Sequence, residues 1–288
     1  MKIGLKRLLV NLQIKQKNNM LKYIYFGTPE ISAKVLESLI NGYQKPIAIV
    51  TSVDTKSGRG LQLKPSFVSI FGTQNNIPVL KPNKLKDIED ELRSYNADVG
   101  ILFAYGKIIP SWLLEMFPYG IINVHPSLLP LYRGASPLTG PILNNESETG
   151  VSIMDMDIEL DHGDVYLQNK MDLKEKTNRL DIENFTINTA PDLLIQVLND
   201  LEKNKVKKTP QNHSLATYTT KIKKEDGAIL ETDTDETKYR KYKAYLNWPG
   251  IYYIDQTGKR IKITKADFID GKFIIEKIIP EGGKEIDF

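Results

Sequence analysis

The chain has 288 residues, 41% of them hydrophobic, with a formal net charge of +3 and no cysteine. That length supports one large or two modest domains around a packed core, and the missing cysteines exclude disulfides, cysteine-ligated zinc and thiol catalysis. No apolar run approaches a bilayer-spanning length and no signal-like apolar centre opens the chain, so a cytoplasmic protein without a membrane partner is expected.

Residues 1–19 carry Lys2, Lys6, Arg7, Lys15 and Lys17 and no acid. They read as a basic extension: either an arm that touches RNA, or sequence upstream of a functional start at Met20, since chain ends are commonly unordered. Lys22 to Phe26 predicts a strand, and Ile31, Val35, Leu36, Leu39 and Ile40 form the apolar stripe of a helix. The turn between them, Gly27-Thr28-Pro29-Glu30, lacks the three glycines of a dinucleotide fingerprint, which disfavours a nicotinamide site. Ile47 to Thr51 predicts a second strand, and strand-helix-strand implies a parallel sheet with right-handed crossovers. Asp54 to Pro65 is polar and without period, hence a surface loop, with a positive face from Lys56, Arg59 and Lys64.

Asp98 to Ala104 is nearly continuous in apolar residues, as in a strand covered on both faces. Tyr105, Gly106, Lys107, Ile108 and Ile109 then leave it as a loop, although by composition alone the two isoleucines are ordinary core. The run from Gly120 delivers Asn123 and His125 at i and i+2, on one face of an extended strand. Pro126 removes a backbone donor and stops that strand, so the pair sits at a strand end, where sites open in parallel α/β sheets. Ser127 lacks the glycine elbow of a nucleophile and reads as capping a turn.

Val151 to Met156 predicts another strand, running into an acidic loop with Asp155, Asp157, Glu159 and Asp161. The loop has neither the central glycine nor the distal glutamate of a calcium site, so no metal is expected. His162 and His213 read as structural. A helix from Arg179 to Asn204 closes a first domain over residues 20–204, and the basic stretch 205–217 reads as a linker. In 218–288, alternating segments at Ile251 to Ile254, Ile261 to Ile263 and Phe273 to Ile278, separated by Gly258 and Gly271, suggest a small antiparallel barrel. Tyr239, Tyr242 and Leu246 share a helical face and read as core, leaving neighbouring lysines for phosphates.

The motif Asn123-Val124-His125-Pro126-Ser127-Leu128-Leu129-Pro130, followed by Tyr132-Arg133-Gly134, Glu148-Thr149-Gly150-Val151 and Leu160-Asp161, resembles the formyltetrahydrofolate-dependent transformylases. Phe26-Gly27-Thr28-Pro29-Glu30, Ser57-Gly58-Arg59-Gly60, Leu63-Lys64-Pro65-Ser66, Ala104-Tyr105-Gly106 and Asn247-Trp248-Pro249-Gly250 resemble the tRNA-directed branch of that family. Pro126 departs from the glycine common in that branch. The resemblance implies a Rossmann-like parallel-sheet α/β domain followed by a C-terminal OB-like β-barrel that binds tRNA. It also implies 10-formyltetrahydrofolate as formyl donor, the α-amino group of initiator methionyl-tRNA as acceptor, and a monomer.

Within that resemblance the catalytic candidates are Asn123, His125 and Asp161. Asn123 would donate its amide to the oxyanion, His125 would bond the same oxygen and relay a proton, and Asp161 would orient the imidazole and accept the amine proton. Folate contacts carried over are Tyr105 to Ile109, the segment Ser127, Leu128, Leu129 and Pro130, and the acids Asp155 and Asp157. For tRNA they are Lys56, Arg59, Lys64 and Arg133, with Arg240, Lys241 and Lys243 in the C-terminal part. Arg59 suits phosphate because a guanidinium offers two donors at once. A sugar-nucleotide N-formyltransferase using the same donor, and a non-catalytic RNA- or folate-binding module, are the alternatives.

Overall fold

The computed structural model describes residues 20–57 and 62–288. Residues 1–19, and with them the expected basic extension, lie outside the described residues, as does Arg59. The chain divides into two units that are not contiguous in sequence. One comprises residues through His125, Val151–Asn169 and Thr186–Ser214; the other comprises Pro126–Gly150, Lys170–Phe185 and Leu215–Phe288.

The first strand, β1 (Tyr23–Gly27), is buried throughout. Full burial of Ile24 and Phe26 contributes roughly 1.5–3 kcal/mol each. The tyrosines that alternate with them keep their hydroxyls satisfied: Tyr25 donates to Ser32 O at 2.9 Å and Tyr23 to Gln44 O at 2.9 Å. Ser32 lies in α1 (Glu30–Gly42), which begins after Pro29 and buries Ile31, Val35, Leu36 and Leu39, as its spacing predicts. β2 (Ala48–Val50) then pairs parallel to β1. The loop expected at 54–65 contains β3 (Thr55–Ser57) antiparallel to β4 (Gln62–Lys64). α2 (Phe67–Gln74) is capped by Ser66, whose Oγ accepts from the Ser69 N–H at 3.0 Å. β5 (Val79–Leu80), α3 (Glu89–Ser94), β6 (Val99–Phe103), α4 (Ser111–Leu114) and β7 (Ile121–His125) follow.

After β8 (Arg133–Gly134) and α5 (Gly140–Leu143), the hairpin β9 (Glu148–Asp155) and β10 (Val165–Asp172) completes the main sheet. Among the described residues its order is β10-β9-β7-β6-β1-β2-β5. β7, β6, β1, β2 and β5 are parallel, but β9 runs antiparallel to β7. The expected parallel sheet is present in these five strands, and an antiparallel hairpin is added at its edge. An antiparallel edge on a doubly wound sheet is a common arrangement, and β10 is buried at Val165 and Tyr166 but exposed over most of its remaining length, as an edge strand can be.

α6 (Arg179–Glu202) supplies Leu194, Val197, Leu198 and Leu201 to the first unit and Ile182 to the core of the second. In the second unit β11 (Tyr218–Thr219) pairs with β8, and α7 (Asp235–Ala244) packs with an antiparallel sheet in the order β12 (Ile251–Ile254), β13 (Arg260–Ile269), β14 (Lys272–Pro280) and β15 (Ile286–Asp287). The strand expected at Ile261 to Ile263 extends to Ile269, because irregular pairing around Lys265 shifts the alternation that sequence period alone would follow. Tyr239 stacks on Phe268 with centroids 5.2 Å apart, which makes this face of α7 core, as its spacing predicts.

Candidate active site

The carboxyl ends of β1, β6 and β7 open at one edge of the sheet, since Gly27 lies opposite Phe103 and Leu102 opposite Asn123 in parallel register. Strand order reverses there. β1 leads to β2 and β5 on one side, while the chain returns to β6 and β7 on the other. Such a switch point leaves a crevice between diverging loops, where α/β sheets hold ligands. Thr28, in the loop after β1, donates to Tyr105 O at 3.1 Å in the loop after β6.

Asn123 and His125 are 6% and 4% exposed. They lie opposite Met154 and Ser152 in register, so both side chains leave the same sheet face, as their spacing predicts. Asp161 reaches both. The Asn123 amide Nδ2 donates to Asp161 Oδ1 at 3.4 Å, and His125 Nδ1 stands 3.7 Å from Asp161 Oδ2. An uncharged donor, an imidazole and a carboxylate thus converge where little water reaches, which strengthens each electrostatic interaction. The group can bond an oxygen that gains negative charge and carry a proton away from an attacking nitrogen.

The turn that carries Asp161 is unusual in two ways. Asp161 itself has φ +49°, a left-handed conformation in which aspartate is enriched among non-glycine residues. Two residues on, a Cβ at Gly163 would stand 1.9 Å from Asp155 O, so only glycine lets the turn lie this close to the end of β9.

The other acids are engaged elsewhere. Asp155 lies opposite Ile122 and so leaves the sheet on the face away from Asn123 and His125. Its Oδ2 accepts from Lys208 Nζ at 2.7 Å and its Oδ1 from Tyr166 OH at 3.3 Å. Asp157 Oδ2 bonds His162 Nδ1 at 2.7 Å, and its Oδ1 accepts from the Glu159 N–H at 2.9 Å.

In the loop after β6, Tyr105 is 2% exposed, edge-on to Phe26, and among the described residues its hydroxyl has no hydrogen-bond partner. Burial pushes that phenol up to about 12. Gly106 has φ +81° and open space around it. Lys107 Nζ donates to Pro82 O and Asn83 O. Ile109 packs against the core, whereas Ile108 is 92% exposed, which corrects the reading of that residue as ordinary core. In the second unit Ser127 donates to Leu131 O at 2.6 Å, the turn-holding role its sequence suggests; Leu129 beside it is buried and Leu128 and Pro130 partly so.

The tRNA candidates divide. Lys64 is exposed on β4, and Lys56 sits on β3 opposite Leu63. Three others turn inward. Arg133 is 1% exposed, donating to Tyr218 OH at 3.3 Å. Lys243 is 9% exposed, its amine bonded to Glu175 O, and burial lowers its pKa. Lys241 pairs with Asp233 at 2.6 Å and donates to Ala228 O. Arg133 and Lys243 are thus mostly covered and already bonded within the second unit. Arg240 is half-buried, donating to Thr237 Oγ1 at 3.2 Å.

Sequence reasoning passed over the stretch after α6. Gln211 donates to Asp161 O at 2.9 Å and Gly163 O at 2.7 Å, and His213 stacks on His162 with centroids 3.9 Å apart and planes 4° from parallel. A lone glutamine in a basic stretch carries no signal of such a role.

Known proteins bear on this arrangement. A formyl transferase profile matches residues 21–198. The methionyl-tRNA formyltransferase of Dictyoglomus turgidum is 40% identical over 262 residues, which span 90% of this chain and 82% of that protein. That of Carboxydothermus hydrogenoformans is 36% identical over 247 residues, 85% of this chain and 80% of its own. Among solved structures, the N-formyltransferase from Helicobacter canadensis in complex with folinic acid and dTDP-3-aminofucose superposes with a TM-score of 0.67 at 20% identity, covering 93% of this chain and 99% of that one, a likeness of fold. With a profile over most of its length and relatives of this identity, the chain belongs to the formyl transferase family.

Proposed function

We propose that this protein transfers a formyl group from 10-formyltetrahydrofolate to the α-amino group of methionyl initiator tRNA. The carrying observation is the convergence of Asn123, His125 and Asp161 on a sheet edge, in a chain 36–40% identical to methionyl-tRNA formyltransferases over most of its length. The donor supplies a formyl carbon on N10, open to attack by an amine. Residues Tyr105 to Ile109 fit a flat heterocycle that bears donors and acceptors. They offer backbone groups at a strand end, an exposed Ile108 and a buried Tyr105 hydroxyl that has no partner among the described residues.

Asn123 Nδ2 stabilises the oxygen as the amine nitrogen adds to the formyl carbon, a bond forming there while the carbon–N10 bond breaks. His125 bonds the same oxygen and conveys a proton toward N10, and Asp161 holds the imidazole and takes the proton from the amine. No covalent enzyme intermediate is needed. Residues 20–204 carry the chemistry, 205–217 connect, and 218–288 bind tRNA in an OB-like barrel. In the second unit the exposed Lys221, Lys223 and Lys224, with Arg240, supply phosphate contacts, and in the first unit Lys64 does. The protein works in the cytoplasm as a monomer.

The test is incubation of the full chain with 10-formyltetrahydrofolate and charged initiator tRNA, followed by detection of formylmethionyl-tRNA. Formylation of a dTDP-linked amino sugar and none of tRNA would replace this reading with the sugar-nucleotide one, which the fold likeness to the Helicobacter canadensis enzyme keeps in view.

A further inference from the structure

Asp161 sits in a turn with no ladder of its own, at a positive φ, yet its carboxylate must be aimed at two side chains at once. Something outside the turn has to hold it. Residues 208–213, just beyond α6, do so at successive points. Lys208 binds Asp155 at the turn's start. Thr209 exchanges two backbone hydrogen bonds with Val165 at its end, at 2.9 and 2.8 Å. Between those anchors Gln211, 7% exposed, places one amide nitrogen on two carbonyls that flank His162, those of Asp161 and Gly163. His213 then lies flat on His162, whose ring is tied to Asp157.

We propose that Gln211 is a positioning residue for Asp161: its side-chain amide fixes the turn's backbone, and so the direction in which the carboxylate faces Asn123 and His125. The proposal rests on the reading of Asn123, His125 and Asp161 as the reacting group. The chemistry of a primary amide explains the residue. Two N–H donors on one rigid nitrogen can satisfy two carbonyls at once. A carboxylate of the same shape would turn an oxygen lone pair toward each of them. Lysine would bring a charge into a site that already balances Asp155 with Lys208.

Gln211→Glu in the full-length chain is the primary test, with Gln211→Met as the uncharged near-isostere should the first fail to fold. Two readouts separate positioning from general stabilisation. The first is steady-state formylation of methionyl-tRNA. A carboxylate that acts only as the reaction proceeds lowers kcat when misaimed and leaves ground-state binding alone, so kcat should fall about 10- to 100-fold while KM for 10-formyltetrahydrofolate stays within about twofold. The second is the side-chain amide resonance of Asn123, which reports its bond to Asp161 without substrate. It should move in the Gln211 variant in the direction it moves in Asp161→Ala. Unchanged kcat, a loss confined to KM, or an Asn123 resonance that stays at its parent position would overturn the proposal. Should the parent protein form no formylmethionyl-tRNA, the functional reading falls, while the Asn123 resonance still decides whether Gln211 sets Asp161.

Discussion

Asp161 follows Asn123 by 38 residues and lies beyond the end of a different strand, yet its Oδ1 accepts the Asn123 side-chain amide at 3.4 Å. The bond joins the middle of the sheet to a loop at its edge. Because Oδ2 of the same carboxylate faces His125, any change at one of the three residues alters the other two.

Single alanine substitutions at Asn123, His125 and Asp161 are therefore expected to lower kcat by about 100-fold or more each, the usual scale for losing an oxyanion donor or a proton-transfer group. Groups that act as a unit lose function non-additively, so the triple variant should be hardly slower than the worst single one. Three losses that multiply would show that the residues act independently.

The nearness of the turn to β9 gives a second expectation. In Gly163→Ala the new methyl carbon would meet Asp155 O at 1.9 Å, a backbone atom that cannot swing aside. The turn must shift, costing about 1–3 kcal/mol in strain and about 10- to 100-fold in kcat through displacement of Asp161. Urea unfolding and steady-state rates measure the two effects, and a variant with parental kcat would mean that Asp161 tolerates displacement.

Much of this site was legible in the sequence, for reasons that differ residue by residue. Asn123 and His125 were readable because strand period alone fixes a shared face, and Pro126 marks where that face ends. The stripe of α1 and the core role of Tyr239 follow from period in the same way. Direction of pairing is not encoded by period, so the strand predicted at Val151 to Met156 carried no sign that it runs antiparallel to β7. Burial of charge is not encoded either. Arg133 and Lys243 read as surface cations because composition cannot show that one bonds the Tyr218 hydroxyl and the other Glu175 O. Gln211 was invisible for a third reason: its partners are backbone carbonyls 50 and 48 residues away, and a carbonyl leaves no mark on the sequence.

The pairing of Lys241 with Asp233 sets a pH dependence in the second unit. Burial alone would raise the Asp233 carboxyl, but the Leu230 N–H and Lys241 together outweigh it and hold the group below its ordinary 3.8. A depressed folded pKa means the unfolded chain takes up the proton first. The contribution to stability is thus complete above the ordinary value and fades as pH falls through it toward the folded one. Asp233→Asn should be less stable than the parent at neutral pH, and the gap between them should close in acid. Parallel unfolding curves across that range would remove the ion pair from the account.

The last expectation separates a tRNA acceptor from a small one. With Lys241 and Lys243 committed internally, the charge left for phosphates in the second unit lies on exposed positions such as Lys221, Lys223 and Lys224. Each phosphate contact releases counterions, so the affinity for tRNA should fall with salt, with a slope of about 0.9 per contact on a logarithmic plot if duplex-like RNA follows the DNA rule. Lys221→Glu, Lys223→Glu and Lys224→Glu combined should flatten that slope and weaken tRNA binding, while 10-formyltetrahydrofolate affinity stays at the parent value. Lys243→Met should leave the slope unchanged, since its amine is committed to Glu175 O. Binding measured across a salt series decides the matter: a slope that survives the triple reversal would move the tRNA surface elsewhere, and a parent protein whose binding ignores salt would leave the small amino sugar as the acceptor.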